Sequence, residues 1–188
     1  MTLRESTLKN TKSVRGFTLI EMMVSLAVFS VVVVLSMSAI VSVLDSNQKS
    51  QTLRSAMDNL NVTLESMTRA IRFGTTYHCG LTGSGTADCG GGDTGMMFIG
   101  SDGVRVRYNL SEGRIVRSSD IGAYTPMTSA DIIIEKLTFY VSGSTPYPGD
   151  NLQPRVVIVI KGYTGAKAST KTSFVLSTTI SQRQLDYQ

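Results

Sequence analysis

The sequence predicts an α+β protein in which one long N-terminal helix, membrane-spanning in its first half and amphipathic in its second, packs on an antiparallel β-sheet domain. Three observations carry this expectation. Met22 to Leu44 is a run of 23 residues without a charge; apolar positions then recur at helical spacing as far as Ile71; and from Met96 onward apolar and polar positions alternate between turn residues.

The chain of 188 residues is long enough for one compact domain with an appendage and too short for two large domains. Hydrophobic residues make up 41% and charged residues 17%, which excludes general disorder, since that needs low hydrophobicity and high net charge. A formal net charge of +4 on its own points toward nucleic acid. The distribution removes that argument. Arg4, Lys9, Lys12 and Arg15 stand against Glu5 alone in residues 1–16, leaving 14 basic and 13 acidic side chains in the rest of the chain.

The elements follow in order. Residues 1–16 are expected to be a short basic leader, and residues 17–73 one helix whose transmembrane part covers about residues 20–44. The uncharged run exceeds the roughly 20 residues that cross a bilayer, whereas a cleaved secretory signal has an apolar stretch of about 7–15 residues. The basic side is N-terminal, so the positive-inside rule places the leader in the cytoplasm and the chain after Asp45 outside. Glu21 lies at the membrane edge behind Phe17, Leu19 and Ile20. A carboxylate there is costly, which makes it a functional candidate.

Beyond the membrane half, Leu53, Met57, Leu60, Leu64, Met67 and Ile71 step by four and three, an amphipathic stripe that needs a cover. The β domain is the expected cover; a parallel coiled coil is the alternative, but the stripe is short and lacks regular charged flanks. No Pro or Gly interrupts Phe17 to Phe73, and Gly74 is the expected stop. A helix of 57 residues is about 85 Å long.

Residues 74–95 read as a Gly-rich loop holding both cysteines. Outside the membrane the setting is oxidising, so Cys79 and Cys89 are expected to pair as a disulfide. A metal site using His78, Cys79, Cys89 and Asp93 is the competing idea, and it lacks the spacing of known metal motifs. Residues 96–188 are expected to form the β domain. Its first strands surround tight turns at Ser101-Asp102-Gly103 and Ser111-Glu112-Gly113, and further strands are expected at Ile132–Val141, Arg155–Lys161 and Thr172–Ile180. Arg105, Arg107, Arg114 and Arg117 are candidates to line one strand face, either as its solvated side or as an anion or DNA patch. No catalytic set emerges: there is one His, no nucleophile elbow and no paired acidic motif, so no catalytic residue, metal or cofactor is expected.

Arg15-Gly16-Phe17-Thr18-Leu19-Ile20-Glu21, after a basic leader and before an apolar helix, closely resembles the type III signal of type IV prepilins and type II secretion pseudopilins. The resemblance implies a cut between Gly16 and Phe17 by a membrane prepilin peptidase, with methylation of the new amine on Phe17. It implies that Glu21 of one subunit pairs with the Phe17 amine of a neighbour during assembly, because a buried charge is tolerated only when paired. It also implies a pilin-like lollipop fold and, as partners, other pilin or pseudopilin subunits together with an assembly platform protein and its ATPase. By the same resemblance the chain waits as a single-pass protein of the plasma (inner) membrane and then enters a periplasmic or cell-surface fibre.

The function expected is a structural subunit of a type IV pilus or a type II secretion pseudopilus. Thr172–Arg183 and Leu60–Gly74 resemble J-type minor pseudopilins and related minor pilins, which implies a minor subunit at the tip or priming assembly. The alternatives are a major pilin of the shaft and a membrane-anchored DNA-uptake or adhesive module using the arginines. An anchored hydrolase is the further rival.

Overall fold

The computed structural model describes residues 16–120, 122–165 and 171–185. Residues 1–15 of the leader expected over 1–16 lie outside them. The chain divides into two compact units, Met1–Leu44 and Asp45–Gln188, and helix α1 (Leu19–Arg72) contributes to both.

In the first unit the described residues are Gly16–Leu44. Every helical position from Leu19 to Leu44 is exposed, and the most apolar 18-residue window of α1 has a mean hydropathy of 2.6 with none of it buried. A surface of this kind is stable in lipid or against other apolar helices, not in water. Three serines inside it are satisfied locally: the hydroxyls of Ser30, Ser36 and Ser38 donate to the carbonyls of Leu26, Val32 and Val34, four residues back, at 2.8, 2.8 and 3.3 Å. Closing these bonds within the helix lets the serines sit in an apolar medium without an external partner.

The second unit begins with the amphipathic half of α1. Its buried line is Ala56, Leu60, Thr63, Met67 and Ile71, while Met57 and Leu64 flank it as partly buried packing residues. Of the stripe expected from the sequence, Leu60, Met67 and Ile71 are buried and Met57 and Leu64 partly so, while Leu53 is outside the core; Ala56 and Thr63, which the expected stripe did not include, complete the buried line. Thr63 is accommodated because its hydroxyl donates to the Met127 carbonyl at 3.0 Å.

Two antiparallel sheets cover the helix. The strands are β1 (Thr75–Cys79), β2 (Cys89–Asp93), β3 (Met96–Ile99), β4 (Arg105–Ser111), β5 (Arg114–Ser119), β6 (Thr125–Pro126), β7 (Ile132–Ser142), β8 (Arg155–Thr164) and β9 (Thr172–Ser181). One sheet has the order β1-β3-β4-β5-β6 and the other β2-β7-β8-β9. The expected meander is β3-β4-β5, and the three later strands stand close to their expected limits. The segment expected as a Gly-rich loop, 74–95, differs: it supplies β1 to one sheet and β2 to the other. Both strands are short and irregular in register, which is why alternation did not reveal them.

A single hydrophobic core joins the helix to both sheets. Leu60, Met67 and Ile71 meet Tyr77, Phe98, Tyr108 and Ile115 of the first sheet and Leu137, Phe139, Ile158 and Ile160 of the second. The β4–β5 hairpin turns on Glu112 and Gly113, at φ 50° and 71°, the positive values a two-residue type I′ turn requires. Gly74 ends the helix for a steric reason: a Cβ there would overlap the Phe98 ring, so only glycine lets the chain turn against the core.

The helix end is well capped. Tyr77 Oη lies 2.7 Å from both the Ile71 and the Gly74 carbonyls, and the Arg183 N–H donates to the Arg72 carbonyl at 2.9 Å. These contacts occupy carbonyls that a helix C-terminus otherwise leaves orphaned. Arg183 also places its guanidinium over the Phe73 ring, 5.2 Å from the centroid.

Candidate functional site

The sequence-predicted residues Gly16, Phe17 and Glu21 stand at the start of α1. Gly16, Phe17 and Thr18 precede the first helical residue, Leu19, and Phe17 is 77% exposed. The Gly16–Phe17 peptide bond is therefore outside the helical hydrogen-bond ladder. A Cβ on Gly16 would meet nothing within 4 Å among the described residues.

Glu21 is held by its own helix. The Glu21 N–H donates to Thr18 Oγ1 at 3.3 Å, and the Thr18 N–H donates to Glu21 Oε2 at 3.4 Å. This is a reciprocal capping box, Thr-x-x-Glu, with apolar Phe17 and Met22 at the flanking positions where a hydrophobic staple is found. It satisfies two of the amides that a helix N-terminus leaves unpaired, and it places a carboxylate in the first turn, where the helix dipole favours negative charge. Thr18 is the residue that the reading of the sequence passed over. The Thr-Leu-Ile-Glu spacing is a legible capping signal that overlaps the methylation motif. Neither bond of the box uses residue 16 or anything before it, so a cut after Gly16 leaves the cap whole.

Residues 11–43 match the family model described as the prokaryotic N-terminal methylation motif. With its long apolar N-terminal helix, the chain fits the type IV pilin family. No curated protein and no solved structure matches the chain. The pilin-type motif covers Gly16, Phe17 and Glu21 together with most of the uncharged run, and the apolar helix behind it suits membrane anchoring.

The remaining candidates lie in the second unit. Cys79 and Cys89 form a disulfide with a Cα–Cα separation of 5.8 Å, and it ties β1 of one sheet to β2 of the other. The loop it encloses is anchored by Asp88, whose carboxylate accepts from the Gly143 and Ser144 amides at 3.0 and 2.9 Å. With both sulfurs in the bridge, the His78, Cys79, Cys89 and Asp93 set does not form a metal site, and no group of three or more His, Cys, Asp or Glu side chains among the described residues is placed to hold one.

The four arginines do not share a face. Arg107 pairs with Ser118 across β4 and β5, which puts Arg105, Arg107 and Arg114 on one side, whereas Arg117 pairs with Tyr108 and shares the opposite, core-facing side. The correction follows from strand parity: Arg114 and Arg117 are three residues apart, and side chains alternate. Tyr108 is fully buried, and desolvation pushes its hydroxyl up to about 12, an effect the positive charge of Arg117 partly offsets.

Proposed function

We propose that this chain is a structural subunit of a type IV pilus or type II secretion pseudopilus, made as a prepilin in the inner membrane with its leader in the cytoplasm. Prepilin peptidase cuts between Gly16 and Phe17 and the new Phe17 amine is methylated. An assembly platform driven by its ATPase then draws the subunit into a helical fibre of pilin or pseudopilin subunits. The observation that carries this reading is the methylation motif over residues 11–43, with the glycine–phenylalanine bond exposed ahead of the helix.

The chemistry assigned to these residues is coherent. Gly16 presents an unhindered scissile bond. Thr18 keeps the helix start intact through the cut, so the new terminus is only one residue ahead of a capped helix. Glu21 offers a carboxylate one helical turn from the Phe17 amine, and in the fibre core it pairs with the amine of a neighbouring subunit, because burying that charge alone is costly. The role is structural and not enzymatic. The resemblance at Leu60–Gly74 and Thr172–Arg183 favours a minor subunit at the tip or in priming over a major pilin of the shaft. The split of the arginines between two faces removes one support for a DNA-uptake module.

Mass spectrometry of the mature chain tests the proposal: the expected N-terminus is methylated Phe17. An intact Met1, or a cut elsewhere, overturns it. The abundance of the chain in sheared fibres, set against the most abundant subunit, separates a minor from a major role.

A further inference from the structure

We propose that β9 is a docking edge, which takes up an extended, uncharged segment of another fibre subunit as an added β-strand. β9 is the outer strand of its sheet, and its register with β8 runs unbroken from Thr164↔Thr172 to Arg155↔Ser181. One step further, the Gln182 N–H donates to the Pro154 carbonyl at 3.0 Å, and this bond sets the parity of the ladder. In an antiparallel pair alternate residues exchange backbone bonds. Phe174, Leu176, Thr178 and Ile180 therefore turn their N–H and C=O groups toward β8. Ser173, Val175, Ser177, Thr179 and Ser181 turn theirs away from the sheet, and none of these five has a hydrogen-bond partner among the described residues.

The other sheet edges are blunted. β1 has a break in register and a residue at positive φ, Thr76; β2 also has a broken register, three glycines and the Cys89 bridge; β6 is two residues long and contains Pro126. Short strands, irregular register and proline are the devices by which proteins prevent unwanted pairing. β9 has none of them. Over ten residues it carries no charge, no proline and no register break, and Val175 on its outer face is 67% exposed.

The chemistry of the edge selects its occupant. Unpaired amides and carbonyls at every second residue are met by the backbone of an extended chain, and the flanking Ser, Val and Thr side chains offer a charged strand no countercharge, which favours an uncharged one. A second copy of β9 pairing antiparallel makes a two-fold contact that closes after two chains, whereas fibre growth needs a head-to-tail contact. The strand therefore comes from a different surface of a neighbouring subunit. This choice of partner rests on the fibre-subunit reading; the open edge does not.

Amide hydrogen exchange on the full chain from a host with its assembly machinery tests the proposal, comparing fibre-bearing membranes with the chain purified in detergent. The amides of Val175, Ser177 and Thr179 are expected to exchange at least about tenfold more slowly in the fibre-bearing sample, while Leu176 and Thr178 are slow in both. Ser177→Pro removes one outward N–H and no bond to β8, and it should abolish the slowing at Val175 and Thr179. Thr179→Lys, which keeps every backbone group and adds a charge, should do the same if the proline variant does not fold. Equally fast exchange in both samples overturns the proposal. Slow exchange already present in detergent, at the mass of two chains, overturns the choice of partner in favour of a second copy. The state of Phe17 in the same sample reports separately: methylation without slowing at β9 refutes the docking edge alone, and slowing without methylation refutes the prepilin reading and with it the choice of partner, but not the edge.

Discussion

Tyr77 links the helix to the sheets, and Tyr77→Phe isolates what its hydroxyl contributes. The Tyr77 side chain is 1% exposed, with its ring 6.1 Å from that of Phe98 and its hydroxyl 2.7 Å from the Ile71 and Gly74 carbonyls. Phenylalanine preserves the ring and its packing, so the change reads the hydroxyl alone. The Ile71 carbonyl keeps the Gly74 N–H at 3.0 Å, so the main loss falls on the buried Gly74 carbonyl. Leaving one buried acceptor unsatisfied costs about 1–3 kcal/mol, and a value near 2 lowers the melting temperature by roughly 4–8 °C for a chain of this size. The assay is thermal unfolding of the full chain in detergent, followed by near-ultraviolet circular dichroism.

A second signature is pH. Burial raises the Tyr77 hydroxyl well above its ordinary value of 10.0 and raises Tyr108 to about 12. A raised folded value means that the stability is fully present below pH 10 and is lost as pH climbs from there toward the folded values. The melting temperature of the native chain should therefore fall above pH 10. Tyr77→Phe should start lower but fall less steeply, because only Tyr108 of this pair is left to ionise. A melting temperature within about 1 °C of the native chain, or an unchanged alkaline slope, refutes the claim that the hydroxyl caps the helix.

Three further outcomes are expected. Glu21→Gln keeps an acceptor for the Thr18 amide but loses the charge, so cleavage after Gly16 should persist while incorporation into sheared fibres, measured by immunoblot, falls at least about tenfold; normal incorporation counts against the pairing role. Replacing Cys79 and Cys89 by serine, or reducing the native chain, should cost about 2–3 kcal/mol in denaturant unfolding, as expected for a loop of ten-residue separation, and the two treatments should agree. Gly162→Ala places a methyl group against the Ile133 carbonyl and the Phe174 ring beside the register break of β7, and should cost at least about 1–3 kcal/mol by the same measurement; a neutral effect would mean that the β7–β8 contact is looser than described.

Much of this protein is legible in local pattern. The uncharged run, the basic charge of residues 1–16, the glycine–phenylalanine bond and the carboxylate at residue 21 are contiguous, so the methylation motif and the apolar half of the helix are read without knowing what packs where. The stripe from Leu53 to Ile71 announces a covered face because 3.6-residue periodicity is local, although Leu53 itself stays out of the core, and the β4–β5 hairpin announces itself through Glu112-Gly113. Arg117 was readable too, since its odd spacing from Arg114 sends it to the other side of the strand.

The pairing of distant segments is not local, and the tertiary structure alone decides it. Met96–Ile99 and Ile132–Ser142 both read as strands with buried apolar residues, yet they belong to different sheets, because membership depends on which backbone groups meet across the core. Cys79 and Cys89 join those two sheets, a role that spacing does not express. Gly74 and Gly162 are needed for the approach of Phe98 and of Ile133, residues far from them in the chain. The open edge of β9 belongs to the same class: its side chains were legible as a strand, but whether a strand lies inside a sheet or at its margin is settled only when every other strand has found its place.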